Sequence, residues 1–217
     1  ASFQIADGYE VNLFADESMG IANPVCFRWD AEGRLWVLCT WAYPQLKPGE
    51  PAVDKLFILE DKDQDGKADK ISTFADGLNM PTGFALGHGG VYLAEGPDLV
   101  HLRDTNGDGK ADQREVLFTG FGTGDTHQNI NSLAWSPGGE LFFCQGLHCF
   151  SRVQTPWGIA RLDEHGSWRL RPLRRQLHTY RRTSGGGNPW GYAFGDWGEA
   201  FIKSNGAGVS ELLPSLV

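Results

Sequence analysis

Four copies of one pattern constrain the fold of this chain more than any other feature. A turn segment, a short strand, a Gly-centred turn and an aromatic-rich strand follow one another in NPVCFRWDAEGRLWVLC (23–39) and MPTGFALGHGGVYLAEG (80–96). The same order returns in NSLAWSPGGELFFCQG (131–146) and NPWGYAFGDWGEAFIKS (188–204). The turn glycines Gly33, Gly90, Gly139 and Gly198 are spaced 57, 49 and 59 residues apart. That period belongs to β-propeller blades, each a four-stranded antiparallel sheet. Residues 1–217 therefore read as one all-β propeller domain with about four blades, and 25–29, 83–86, 131–135 and 191–194 as the innermost strands. The ring is either closed at four blades, a fragment, or one half of a larger ring completed by a partner copy. GYEVNLFA (8–15) precedes the first copy as an orphan strand, placed to complete the last blade and close the ring.

Strands three and four of the first two blades are joined by acidic loops, DKDQDGKAD (61–69) and DTNGDGKAD (104–112). Each has oxygen side chains at loop positions 1, 3, 5 and 9 and a glycine at 6, the spacing with which one tight turn surrounds a hard cation. Glu115 stands at position 12 of the second loop and Ser72 at that of the first. The flanks LFIL, ISTF, LVHL and EVLF are β-branched or aromatic, so these loops are hairpin turns and not helix–loop–helix units. The expected ligands of one calcium are Asp61, Asp63, Asp65, Asp69 and the Lys67 carbonyl. Those of a second are Asp104, Asn106, Asp108, Asp112 and the Lys110 carbonyl. In the third repeat, IARLDEHGSWRLRPL (159–173) reads as the outer hairpin, with a short DEHG turn.

The 29 glycines, 11 prolines, eight tryptophans and thirteen phenylalanines fit short strands, many turns and bulky packing between sheets. A net charge of −8 argues against nucleic acid as a partner. No apolar run reaches the length of a membrane span. Cys26 with Cys39, or Cys144 with Cys149, could bridge in an oxidising compartment, and four free thiols are the alternative. The start at Ala1 and loops suited to millimolar calcium point to an exported protein, periplasmic or extracellular.

GFGTGDTHQNINSLAWSPGGELFFCQG (120–146) places a histidine just ahead of an inner strand and its Gly turn. In this it resembles the glucose/sorbosone dehydrogenase-like propellers, the group that contains the soluble quinoprotein glucose dehydrogenases. The resemblance implies that His127 is the general base for a sugar hydroxyl, with Gln128 beside it. GGGNPWGYAF (185–194) is similar to that group's Arg-Asn-Pro-x-Gly segment at the cofactor. Asn188, Pro189 and Gly191 match, while Gly187 replaces the arginine. Closer still is a subgroup labelled membrane-bound dehydrogenases on the strength of fold. Its members share GYEVNLFADESMGIANP (8–24), GRLWV (33–37), the Asp-rich loops, the GFGTGDTHQ stretch and NPWG (188–191).

The chemistry so implied is oxidation of a sugar or other alcohol, with pyrroloquinoline quinone as hydride acceptor. RRQLHTYRR (174–182) supplies cations for an anionic quinone, Arg181 and Arg182 among them. His148 could join His127 on a transition metal. A non-catalytic calcium-stabilised module that binds protein or glycan is a second reading, and a lactonase-like hydrolase a third. In that hydrolase a central calcium polarises a carbonyl, which needs carboxylates or amides pointing at the axis, whereas here the acids cluster in hairpins between strands three and four, at the periphery.

Overall fold

The structure is a computed structural model that describes residues 3–181, 187–205 and 210–213. The first sheet runs in the order β1 (Pro24–Trp29), β2 (Leu35–Cys39), β3 (Asp54–Glu60) and β4 (Lys70–Leu78). The second is β5 (Pro81–Gly87), β6 (Gly90–Glu95), β7 (Asp98–Arg103) and β8 (Gln113–Thr119). The third takes β9 (Asn131–Trp135) and β10 (Leu141–Gln145), then leaves the blade for a separate hairpin of β11 (Phe150–Thr155) and β12 (Gly158–Asp163). It resumes with β13 (Gly166–Arg171) and β14 (Gln176–Arg181). The last described sheet is three-stranded: β15 (Pro189–Phe194), β16 (Ala200–Ser204) and β17 (Ser210–Leu213). All pairings are antiparallel, and the only helical pieces among the described residues are three-residue 3-10 turns. This is a β-propeller of four consecutive blades.

The four strands expected innermost are each an edge strand of their sheet, and they pack in order: β1 on β5, β5 on β9, β9 on β15. Between blades lie the cores. Trp36, Leu38, Leu56, Phe84 and Leu93 fill the space between blades one and two. Tyr92, Leu99, Leu133, Phe143 and Trp168 fill that between two and three. Alternate residues of a middle strand serve opposite cores, Val91 and Leu93 on one side and Tyr92 and Ala94 on the other. Such strands are buried on both faces, so they read as unbroken apolar runs. At ~25 cal/mol per Å² of apolar surface, this stacking between sheets is the main stabilising term.

Several expectations are corrected. The turn of the second repeat is His88–Gly89, with φ of 49° and 71°; Gly90 begins β6 and pairs with Gly87. A Cβ on Gly90 would lie 2.2 Å from the Leu102 carbonyl oxygen, so its glycine serves a close backbone approach and not the turn. Residues 159–163 are not strand three of the third blade; they pair with β11 outside it. The Gln145 side-chain nitrogen lies within 3.2 Å of the carbonyls of Cys149, Leu162 and Glu164 and pinches the base of that hairpin shut. Strands three and four are instead β13 and β14.

Residues 8–15 are assigned no strand. Phe14 and Ala15 pack on the free face of the first blade with Val37, Phe57 and Leu59, and the Phe14 carbonyl accepts from the Ala68 N–H at 2.9 Å. All four cysteines are free. Cys26 and Cys39 do not face one another, since Cys26 stands opposite Leu38 and Cys39 opposite Pro24, and they belong to different cores.

Candidate functional site

Each innermost strand begins with one residue more than its neighbour. Val25, Thr82 and Trp190 are skipped in the pairing of β1, β5 and β15 with their partners, and in β9 the two residues Ser132 and Leu133 are skipped against the single Phe143 of β10. A bulge of this kind re-aims a side chain. Here all four aim the same way: Val25, Thr82, Ser132 and Trp190 line a cavity of ≈ 740 Å³ bounded by all four innermost strands. The sequence marks the bulges as Pro24-Val25, Pro81-Thr82 and Pro189-Trp190, with proline as the first strand residue. Asn23, Met80 and Ser132 hold left-handed φ of 44°, 49° and 57° at these bends.

Buried Asp54 fixes the bend at Met80. Its Oδ2 accepts from the Met80 N–H at 3.1 Å and from Thr40 Oγ1 at 2.8 Å; its Oδ1 accepts from the N–H groups of Trp41 and Ala42. Thr40 Oγ1 in turn accepts from the Tyr43 N–H. The carboxylate thus sets the loop that carries Tyr43 into the cavity wall.

His127 lies in the 3-10 turn Thr126–Gln128, at the mouth of the same cavity. Asp125 caps that turn. Its Oδ1 accepts from the His127 N–H at 3.1 Å and sits 3.0 Å from Nδ1, leaving Nε2 as the ring's other polar atom. The imidazole meets the Tyr43 ring edge-on at 5.2 Å, and Thr126 Oγ1 donates to the Pro44 carbonyl. The side chain is 53% exposed, so ligand and solvent both reach it. A histidine held by a carboxylate on Nδ1 and open at Nε2 can take a proton from a hydroxyl or from water.

The other expected site residues do not gather there. Gln128 is fully buried, lies outside the cavity lining, and its amide atoms find no hydrogen-bond partner. Asn188 spends its Oδ1 on the Leu147 N–H at 2.8 Å and does not line the cavity, although Trp190 two residues on does. Arg182 and the Arg181 side chain lie outside the described residues. Among the described residues, His148 joins no cluster of three metal-ligand side chains with His127. Burial pushes all four thiols up, which disfavours the thiolate form.

Sequence reasoning missed Arg28, which lines the cavity from β1. Its only sequence signal is its place in the alternation of an inner strand.

In the two acidic loops the backbone N–H groups donate to side-chain oxygens at the same loop positions. Asp61 accepts from the Gln64 and Gly66 N–H groups, Asp63 from Asp65 and Asp65 from Lys67. Asp104 accepts from Gly107 and Gly109, Asn106 from Asp108 and Asp108 from Lys110. At the loop ends, Asp69 accepts from Lys62 and Asp112 from Thr105. Ligand oxygens of Asp61, Asp63 and Asp65 lie within 4.8 Å of one another. Glu115, at position 12, pairs instead with Arg175.

A family model described as Domain of unknown function (DUF7133) matches residues 1–215. No curated protein matches the sequence. Among solved structures, the chain is similar to XC5397, a gluconolactonase from Xanthomonas campestris, at 17% identity and TM-score 0.55, over 88% of this chain and 57% of that one. It is also similar to a luciferin-regenerating enzyme at 15% identity and TM-score 0.52, over 82% of this chain and 52% of that one. These likenesses bear on the fold, and the chain spans somewhat over half the length of each. The likeness to sugar-dehydrogenase propellers expected from the motifs is met at this level, as a propeller.

Proposed function

The chain belongs to the family described as Domain of unknown function (DUF7133), and from that premise we propose that it opens sugar lactones, with His127 as general base. The observation that carries this reading is the Asp125–His127 pair beside a cavity lined by four bulged inner strands. The imidazole takes a proton from water as the water oxygen attacks the lactone carbonyl. The ring C–O bond then breaks, and the imidazolium returns the proton to the leaving oxygen, giving a hydroxy acid. Water and a base suffice for this proton transfer, and the fold the chain shares with a gluconolactonase supports the substrate class.

The sugar-dehydrogenase reading keeps the support of its ordered motifs, GFGTGDTHQ above all. Of the residues expected to hold pyrroloquinoline quinone, the two whose side chains are described do not gather on the cavity: Gln128 is buried outside it and the Asn188 amide oxygen is engaged, while Gly187 stands in the arginine's place. Lactone opening followed by pH-stat, beside dye-linked oxidation of sugars with added quinone, separates the two. Base-dependent lactone opening that His127→Gln abolishes supports the proposal. Quinone-dependent dye reduction without lactone opening replaces it, and activity in neither assay leaves a binding module.

We also propose one calcium ion in each acidic loop, held by the oxygens named above, with a structural role at the rim of blades one and two. The shared hydrogen-bond scheme supports this, since it turns the same oxygens inward in both loops. Export to a calcium-rich compartment belongs with this proposal.

A further inference from the structure

We infer that the cavity selects a sugar derivative bearing an anionic group, phosphate or carboxylate, and that Arg28 binds that group; the sugar part of this inference rests on the function proposed above. Among the described residues lining the cavity, Arg28 is the only one with a formal charge, in a chain of net charge −8. No carboxylate pairs with it among the described residues, whereas Arg34, Arg114, Arg152, Arg171 and Arg175 each have one; Arg103, Arg161 and Arg174 also have no carboxylate partner there, but none of them lines the cavity. A cavity that excludes acids and keeps one unpaired guanidinium is built for an anion.

The guanidinium is held in place. Nη1 donates to the Phe27 carbonyl at 2.8 Å and Nη2 to the Leu133 carbonyl at 3.1 Å, across β5 from β1 to β9. Arginine carries five N–H donors, so three remain for a ligand on a fork already fixed in plane. His127 lines the cavity from the turn just before β9, while Arg28 lines it from β1, so the two side chains address different parts of one ligand: the reacting carbon at His127, the anionic group at Arg28.

A purely structural Arg28, tying blade one to blade three, predicts something else: its loss would lower stability without changing ligand preference. Titration calorimetry of the whole chain with glucose, glucose 6-phosphate and glucuronate decides between them, since these differ chiefly at carbon six. The wild type is expected to bind one charged sugar about ten- to hundredfold more tightly than glucose, less so in high salt. The tighter of the two identifies phosphate or carboxylate. Arg28→Gln should erase the preference and Arg28→Lys restore part of it, each with melting temperature recorded. Equal binding of charged and neutral sugars, no binding of any, or a preference that survives in folded Arg28→Gln overturns the inference. Binding needs no turnover, so a preference kept in His127→Gln, or in a protein that opens no lactone, leaves the anion site standing while the proposed reaction fails.

Discussion

Asp125 Oδ1 lies 3.0 Å from His127 Nδ1 and accepts the backbone N–H of the same residue at 3.1 Å. One carboxylate oxygen thus caps the turn and orients the ring, so base and support are encoded within three residues. Replacing His127 with Gln should lower kcat by about 10²- to 10⁴-fold, the usual worth of a general base. Asp125→Asn should leave substrate affinity in place and lower kcat less than His127→Gln does. A kcat unchanged in Asp125→Asn would reduce Asp125 to a cap.

Asp54 supports the site from beneath. Its two oxygens accept from Thr40, Trp41, Ala42 and Met80, and no side-chain nitrogen of asparagine could replace an oxygen there without facing a donor. Asp54→Asn is expected to cost about 2–4 kcal/mol of stability, the range for a buried group left unmatched. It should also loosen Tyr43 and with it the His127 turn. Denaturant unfolding and the Michaelis constant measured together check both effects; loss of stability without any change at the site would detach Asp54 from function.

The blades were legible because their signals are local. Glycine turns, Asp-rich loops and apolar middle strands such as LFIL each state their conformation within a few residues, and four copies in order give the propeller. The hairpin of β11 and β12 was not, because its exclusion from the blade depends on Gln145 reaching three carbonyls, two of them 17 and 19 residues away. Gly90 was misread for a similar reason: its lack of a Cβ answers to Leu102 on the next strand. At the site, His127 could be read from its motif, but Arg28 could not. Nothing in FRW distinguishes an arginine on a channel wall from one on a solvated face. Only its place in the cavity beside the four bulges gives it a role.

Calcium bound at the acidic loops should stabilise the folded chain by mass action, because the unfolded chain has no such sites. Chelator is expected to lower the melting temperature, with Asp61→Asn and Asp104→Asn each removing about one equivalent of bound metal. Metal analysis showing none bound, with an unchanged melting curve in chelator, would end the calcium proposal.

Phe14 stands to the first loop as Phe74 stands to the second. The Ala68 N–H donates to Phe14 at 2.9 Å and the Ala111 N–H to Phe74 at 2.7 Å, and both acceptors lie in a Phe-Ala-Asp run. Phe14 also meets Trp29 edge-on at 5.4 Å. The N-terminal segment therefore occupies the place beside blade one that β4 occupies beside blade two. Phe14→Ala should cost about 1–2 kcal/mol and speed hydrogen exchange at the Ala68 amide. Unchanged protection there would mean that the segment rests on the blade without stabilising it.

His101 gives the fold a pH dependence of definite sign. The ring is buried, stacked on Tyr92 at 4.3 Å, with Nε2 3.2 Å from the Gly87 carbonyl. Burial holds its pKa below the ordinary imidazole value, because the imidazolium would lose its hydration; Arg103 and His88 push the same way, against the Gly87 carbonyl and Glu115. The folded chain therefore binds a proton at His101 less readily than the unfolded chain. Its contribution to stability is full above the unfolded value near 6.5 and is lost as pH falls from there towards the folded pKa. Melting temperatures between pH 7.5 and 5 should fall in the wild type, and part of that fall should be missing in His101→Gln. The variant is less stable at pH 7.5 if the stacked ring packs well, but its curve should be flatter. Parallel curves for the two proteins would show that His101 takes up its proton equally in both states.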